Sequence, residues 1–170
     1  MGAPPSMIDA RKHGLPPAMR GDARLLILGS LPGEASLAAG RYYAHPRNHF
    51  WRLLEVVTGK PLETLGYEER LERLVARGIA LWDVIHAARR EGSLDQAISQ
   101  VEQRDLAGFV RGLPDLRAIG FNGGTAARIG RRALGRSELA LVDLPSSSPA
   151  YTLPFADKAE RWAALSAFLD

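Results

Sequence analysis

Ten residues, Tyr42 to Trp51 (YYAHPRNHFW), bring two phenols, two imidazoles, a guanidinium, a carboxamide, a phenyl ring and an indole into one tract. A strand does not carry His-Pro-Arg-Asn through its middle, and a helix does not begin before Pro46. The tract therefore reads as a loop that becomes a helix at about Arg47, and ring-rich loops with polar tips tend to be sites. Three further segments have side chains suited to chemistry: GSLPG from Gly29, FNGG from Phe121 and PSSSPAYT from Pro145. Asn122 offers an acceptor and a donor side by side, as needed to read the edge of a base, and equally suits a helix N-cap. Ser146, Ser147 and Ser148 offer three hydroxyls in a proline-stiffened loop, which can hold a phosphate backbone or form a plain surface turn.

Other chemistries lack their signatures. The chain has no cysteine, which removes disulfides, thiol catalysis, the usual structural zinc and iron–sulfur clusters. Gly29 and Gly33 do not make a G-x-G-x-x-G fingerprint, and no Gly-Lys-Ser/Thr follows them. No G-x-S-x-G elbow is present for a serine triad. His45 and His49 have the spacing of two ligands on one helix face, but Pro46 lies between them, so no metal site is expected. Trp82 and Asp83 read as core plus a structural carboxylate.

The elements that must position these groups follow from the apolar pattern. A chain of 170 residues with 46% hydrophobic content suits one domain with a sizeable core. Residues 1–22, rich in proline and without a signal-peptide core, read as a loosely ordered start to a domain spanning 23–170. Short apolar strands are expected at Arg24–Leu28, IALWDVI (from Ile79), LRAIGF (from Leu116) and Leu139–Leu144. Helices are expected over Asn48–Val57, YEERLERLVARG (stopping at Gly78), GSLDQAISQ, RDLAGFVRGLP, GGTAARIGRRAL and FADKAERWAALSAFL, with LPGEASLAAGR left as a loop. Strands alternating with helices predict an α/β fold, a parallel sheet covered on both faces, with ligands beyond the carboxyl ends of the strands. GSLPG after the first strand, WDV in the second, FNGG after the third and LPSSSPA after the fourth fall at such ends. The formal charge is +3, and of the 22 basic residues only Lys12, Lys60 and Lys158 are lysine. Arginine grips phosphate at two points, and a sequence pI near 9.6 permits nucleic-acid binding without requiring it. No apolar run approaches the roughly 20 residues of a membrane span, and the expected location is cytoplasmic.

Taken in order, GSLPG, YYAHPRNHFW, ALWDVI with REGSLD, FNGGTA and LPSSSPAYT resemble the uracil-DNA glycosylase superfamily. Within it the pattern is most similar to the hypoxanthine-DNA glycosylase branch, family 6. The mismatch-specific uracil-DNA glycosylases share a similar AHP-x-N-x-FW tract. The resemblance implies a three-layer α/β/α sandwich around a four-stranded parallel sheet. It also implies an enzyme that flips a deaminated base out of DNA and hydrolyses its N-glycosidic bond, without metal or cofactor. In many relatives an Asn or Asp stands at the place of Leu31, and a His or Asn at the place of Leu144. Neither leucine can replace those groups. By resemblance, Asn48 takes the catalytic part. Tyr43, Asn122 and Ser30 face the base, and Ser146, Ser147, Ser148, His45 and Arg47 face the DNA. The wedge lies between Pro149 and Leu153. Hypoxanthine in deoxyinosine is the favoured base and the protein is expected to act as a monomer. Uracil is the alternative base, and a catalytically silent DNA-damage binding module is the alternative class.

Overall fold

The computed structural model describes residues 12–89 and 99–170. Its centre is a four-stranded parallel sheet in the order β3-β2-β6-β7. The strands are β2 (Leu25–Gly29), β3 (Ile79–Asp83), β6 (Ala118–Asn122) and β7 (Ala140–Leu144). Leu25 pairs with both Ile79 and Ala118, which places β2 in the interior of the sheet. Every residue of β2 is buried, because successive side chains enter opposite faces and both faces are covered. Leu25 and Ile27 join a core with Phe50, Trp51, Leu53, Leu54, Leu74 and Trp162. Leu26 and Leu28 join a second core with Leu106, Phe121, Ala126 and Ile129. Each such side chain contributes roughly 1.5–3 kcal/mol by leaving water, which explains why the strand reads as an unbroken apolar run.

Six α-helices lie among the described residues: α1 (Glu34–Ala39), α2 (Phe50–Thr58), α3 (Tyr67–Ala76), α4 (Leu106–Arg111), α5 (Gly124–Leu134) and α6 (Phe155–Ala163). Helices α2, α3 and α6 supply the first core, and α4 and α5 the second. This is the expected α/β/α sandwich. No described helix is long and apolar enough to cross a membrane.

The structure departs from the sequence expectations at four places. The segment after β2 contains α1, closed by Gly40 in the left-handed conformation. Glu-Ala-Ser-Leu-Ala-Ala are helix formers, and the Pro-Gly before them marks only where the helix begins. The IALWDVI run breaks at Val84: β3 stops at Asp83, and β4 (Ile85–Arg89) leaves the parallel sheet. It pairs antiparallel with β1 (Lys12–His13) and β5 (Ser99–Gln103) in a second, three-stranded sheet. The helix expected over GSLDQAISQ lies mostly outside the described residues, and its last two residues, Ser99 and Gln100, belong to β5. Pairing with β4 overrides local preference there. The closing helix tightens after Ala163 into a 3₁₀ turn, Ala164–Phe168.

Of the first 22 residues, those from Lys12 onward meet the rest of the chain. Ala18 bridges Leu81 through two backbone hydrogen bonds, covering the outer edge of β3. The buried Tyr42 hydroxyl donates to the Pro16 carbonyl at 2.7 Å.

Helix α5 lies so close to the sheet that a Cβ on Gly130 would come within 2.4 Å of the Phe121 ring. Alanine ordinarily improves a helix over glycine by roughly 0.5–1 kcal/mol. Here overpacking should win, and Gly130→Ala should destabilise the fold by about 1–3 kcal/mol. Urea unfolding of the two proteins measures the sign.

Candidate active site

The carboxyl ends of β2, β3, β6 and β7 open into a cavity of about 770 Å³. That volume lies within the range of small-molecule sites. Its walls include Ser30, Leu31, Tyr43, His45, Asn48, Asp83, Asn122, Arg128, Ser146–Ser148 and Tyr151. Segments far apart in sequence thus meet as the strand-end rule requires. Arg47 is exposed and does not line the cavity. Leu144 packs in the core, while Leu31 is buried against the cavity with no polar group to offer.

Asn122 is the hub. Its Oδ1 accepts from the backbone N–H of Ser147 at 2.9 Å, and its Nδ2 donates to Ser147 Oγ at 2.9 Å and to Tyr43 Oη at 3.3 Å. The backbone donor identifies which end of the amide is oxygen. Both amide hydrogens are engaged with protein, so Asn122 ties the serine loop to the phenol, and a second Oδ1 lone pair remains for a ligand.

The serine loop is held from several sides. The His49 backbone N–H donates to Ser147 O, Trp162 Nε1 to Pro145 O, and Lys158 Nζ to Ser148 O at 3.2 Å. Gly123, at a φ of 99° that only glycine tolerates well, brings β6 against Ser146: a Cβ there would lie 3.2 Å from the Ser146 Cβ. The loop separates the three serines by role. Ser147 is buried and serves as the anchor. Ser146 and Ser148 are half-buried, and their hydroxyl oxygens accept from the backbone N–H groups of Ser148 and Ala150. Their O–H groups remain able to donate to a phosphate.

Tyr43 holds φ at 53°, the one positive value among non-glycine residues in the described chain. Such a backbone costs energy and persists only where its surroundings enforce it. One face of its ring stacks on Phe50 with centroids 3.7 Å apart and planes 17° apart. The ring also lines the cavity, where it offers a rigid surface for a flat ligand. Asn48 precedes α2, which begins at Phe50 rather than at Asn48 itself. Its Oδ1 accepts from the Phe50 N–H at 2.9 Å, an Asx turn. Its Nδ2 makes no protein hydrogen bond among the described residues, so the amino end can donate to a water molecule in the cavity. His45, exposed at the rim, accepts the Arg47 N–H on Nδ1.

Sequence reading missed several groups. Asp83 lines the cavity although it is only 2% exposed; its neighbour Trp82 packs on Phe109 as core. Arg128, four residues into α5, projects to the rim. Helical spacing from the glycine pair was the available signal. Lys158 is fully buried beneath the serine loop, below the Tyr151 ring at 5.5 Å. Burial lowers its pKa. Burial also lowers that of His49, with Lys158 and Arg52 adding repulsion.

Three comparisons with known proteins give the family and the fold. The model of the uracil DNA glycosylase superfamily matches residues 16–168. A hypoxanthine DNA glycosylase of Methanosarcina acetivorans is 38% identical over 154 residues, covering 91% of this chain and 97% of its own. One of Methanosarcina barkeri is 42% identical over 113 residues, covering 66% and 72%. A solution NMR structure of a candidate uracil DNA glycosylase from Methanosarcina acetivorans matches with a TM-score of 0.82 at 37% identity, over 94% of this chain and 98% of that one.

Asn122→Ala should strand the buried N–H and Oγ of Ser147 and cost about 1–3 kcal/mol, read as a lower urea midpoint. His49 should give the fold a pH dependence. Its folded pKa lies below the ordinary 6.5, so below pH 6.5 the unfolded chain takes up the proton first. Stability should be full above that pH and fall as the pH drops toward the folded value. His49→Gln should flatten that fall in unfolding curves between pH 5 and about 8.

Proposed function

The chain belongs to the uracil-DNA glycosylase superfamily, and from that premise we propose that it is a monofunctional DNA glycosylase that hydrolyses the N-glycosidic bond of deaminated bases. Deoxyinosine in DNA is the favoured substrate. One observation carries the reading: over 91% of its length the chain is 38% identical to a hypoxanthine DNA glycosylase, and the likeness includes the segments that surround the cavity. The location proposed is the cytoplasm and the active form a monomer.

The geometry supports the following course. A lesion nucleotide swings out of the duplex, helped by weak pairing of the damaged base. Its base enters the cavity and stacks on Tyr43, whose opposite face is backed by Phe50. Ser146 and Ser148 donate to the flanking phosphates, while His45 and Arg128 supply donors at the rim and Arg47, outside the cavity, adds positive charge on the surface beside it. Tyr151, 47% exposed at the cavity mouth and carried by the same loop, fills the vacated place in the stack. Asn122 fixes the phenol and Ser147, and Ser30 completes the wall beside the base.

Bond cleavage passes through a sugar with oxocarbenium character. The phosphates of the bound DNA relieve that charge, a water attacks the anomeric carbon as the bond to the base breaks, and the water's surplus proton passes through solvent to the departing base anion. Asn48 acts by position. Its Oδ1 is committed to the Phe50 N–H, and the amino end can hold the water oxygen but cannot remove a proton. Correct placement of a nucleophile lowers a barrier by several kcal/mol on its own. The base departs with growing negative charge, and Leu31 and Leu144 offer it nothing. Stabilisation must come from backbone N–H groups near Ser30 and Asn122.

Purified protein should release hypoxanthine from deoxyinosine-containing oligonucleotides in the presence of EDTA, with a uracil oligonucleotide run beside it for comparison. Asn48→Ala should lower the single-turnover rate about 100-fold, while loss of the bond to Phe50 costs about 1 kcal/mol of stability. A variant that cleaves at the parent rate would remove Asn48 from the mechanism.

A further inference from the structure

We propose that Asp83 sorts deaminated bases from their amino-bearing parents by accepting the ring N–H that deamination creates. The inference rests on the glycosylase reading above and names the group that chooses the base.

Asp83 ends β3 directly opposite Gly29 in the parallel ladder. A Cβ on Gly29 would lie 2.8 Å from Asp83 Oδ1 and 3.0 Å from Tyr43 Oη. The missing methyl is what allows the carboxylate and the phenol oxygen to share the floor of the cavity. The polar edge of the Tyr43 ring therefore points at the floor on which Asp83 stands. A flat base stacked on that ring turns one of its own edges toward the same floor. Arg104 stands close to this floor: burial lowers its pKa, and the nearby Asp83 works against that lowering. That guanidinium lies over the Trp82 ring at 4.4 Å and donates to the Leu15 carbonyl at 3.1 Å.

The chemistry of deamination matches this floor. Adenine and cytosine carry a ring-nitrogen lone pair beside an amino group. Hypoxanthine and uracil carry a ring N–H beside a carbonyl. An ionised carboxylate has acceptors only. It pairs with the ring N–H of the deaminated base and repels the lone pair of the parent base. A site built to hydrogen-bond an N–H rejects an analogue lacking it by as much as about 10⁴–10⁵. The carboxylate gives no push to the chemical step, because negative charge grows on the departing base. Its contribution is selection. Asparagine in its place would present a donor or an acceptor at will and lose the distinction.

The test is the ratio of single-turnover rates on deoxyinosine DNA and on DNA carrying 6-methoxypurine, which fixes the same ring nitrogen as an acceptor. Parent protein should prefer deoxyinosine by at least about 100-fold. Asp83→Asn should shrink that preference by at least about tenfold, with adenine cleavage rising from background in parallel. An unchanged ratio in a folded Asp83→Asn protein overturns the role of the carboxylate and leaves the glycosylase reading standing. Should that variant not fold, Asp83→Ser is read in the same way: an unchanged ratio overturns the proposal, and a ratio at least about tenfold smaller upholds it. Parent protein that releases no deaminated base at all overturns the glycosylase reading, and this inference with it.

Discussion

The carboxamide of Asn122 ties together three parts of the chain through side-chain hydrogen bonds. It stands at the end of an interior strand, accepts the Ser147 N–H, and donates to the Ser147 hydroxyl and to the Tyr43 phenol. A buried amide in this position is worth most through what its loss would leave behind, two polar groups of Ser147 without partners. The serine loop and the Tyr43 ring are therefore set relative to each other by this side chain together with the His49 N–H bond to Ser147 O. Their register does not depend on DNA being present, and a site assembled beforehand loses less entropy on binding.

The rest of the site is built outward from that tie. Tyr43 is kept in an unfavourable backbone conformation by its stacking on Phe50 and its bond to Asn122. Phe50 is locked in turn by edge contacts with Trp51 and Trp162, and Trp162 reaches back to the Pro145 carbonyl at the root of the serine loop. Core packing and site geometry thus use the same aromatic residues. The tract from Tyr42 to Trp51 is dense in rings because half of it is core and half is wall. Lys158 adds a charge beneath the loop, where few waters screen it. Its bond to Ser148 O and the Tyr151 ring above it offset the cost of burial. The same cation, with Arg52, helps to keep the His49 ring neutral.

The amino-acid sequence by itself determined the parallel sheet, the order of its layers and the end of it that carries the site. Strands such as LLILG are apolar at every position because both faces are covered, and that signal needs no partner to be read. The tract from Tyr42 to Trp51 and Asn122 stood out because rings and amides at strand ends and loop tips are rare when core alone is being built, and the family resemblance singled out Tyr43 and Asn48 within the tract. Tertiary structure decided what each of them does. Asn122 could equally have read a base or capped a helix, and its partners turned out to be Ser147 and Tyr43, 25 and 79 residues away. Helix α1 and the second sheet stayed hidden because one is too short for a periodic pattern and the other exists only through pairing of distant segments. Asp83 looked like a structural carboxylate, since WD inside an apolar strand matches core as well as site. Only its pairing opposite Gly29, in a neighbouring strand 54 positions earlier, placed it on the cavity floor. Local sequence records which faces are buried; which polar groups meet depends on strand register, and register is a property of the whole sheet.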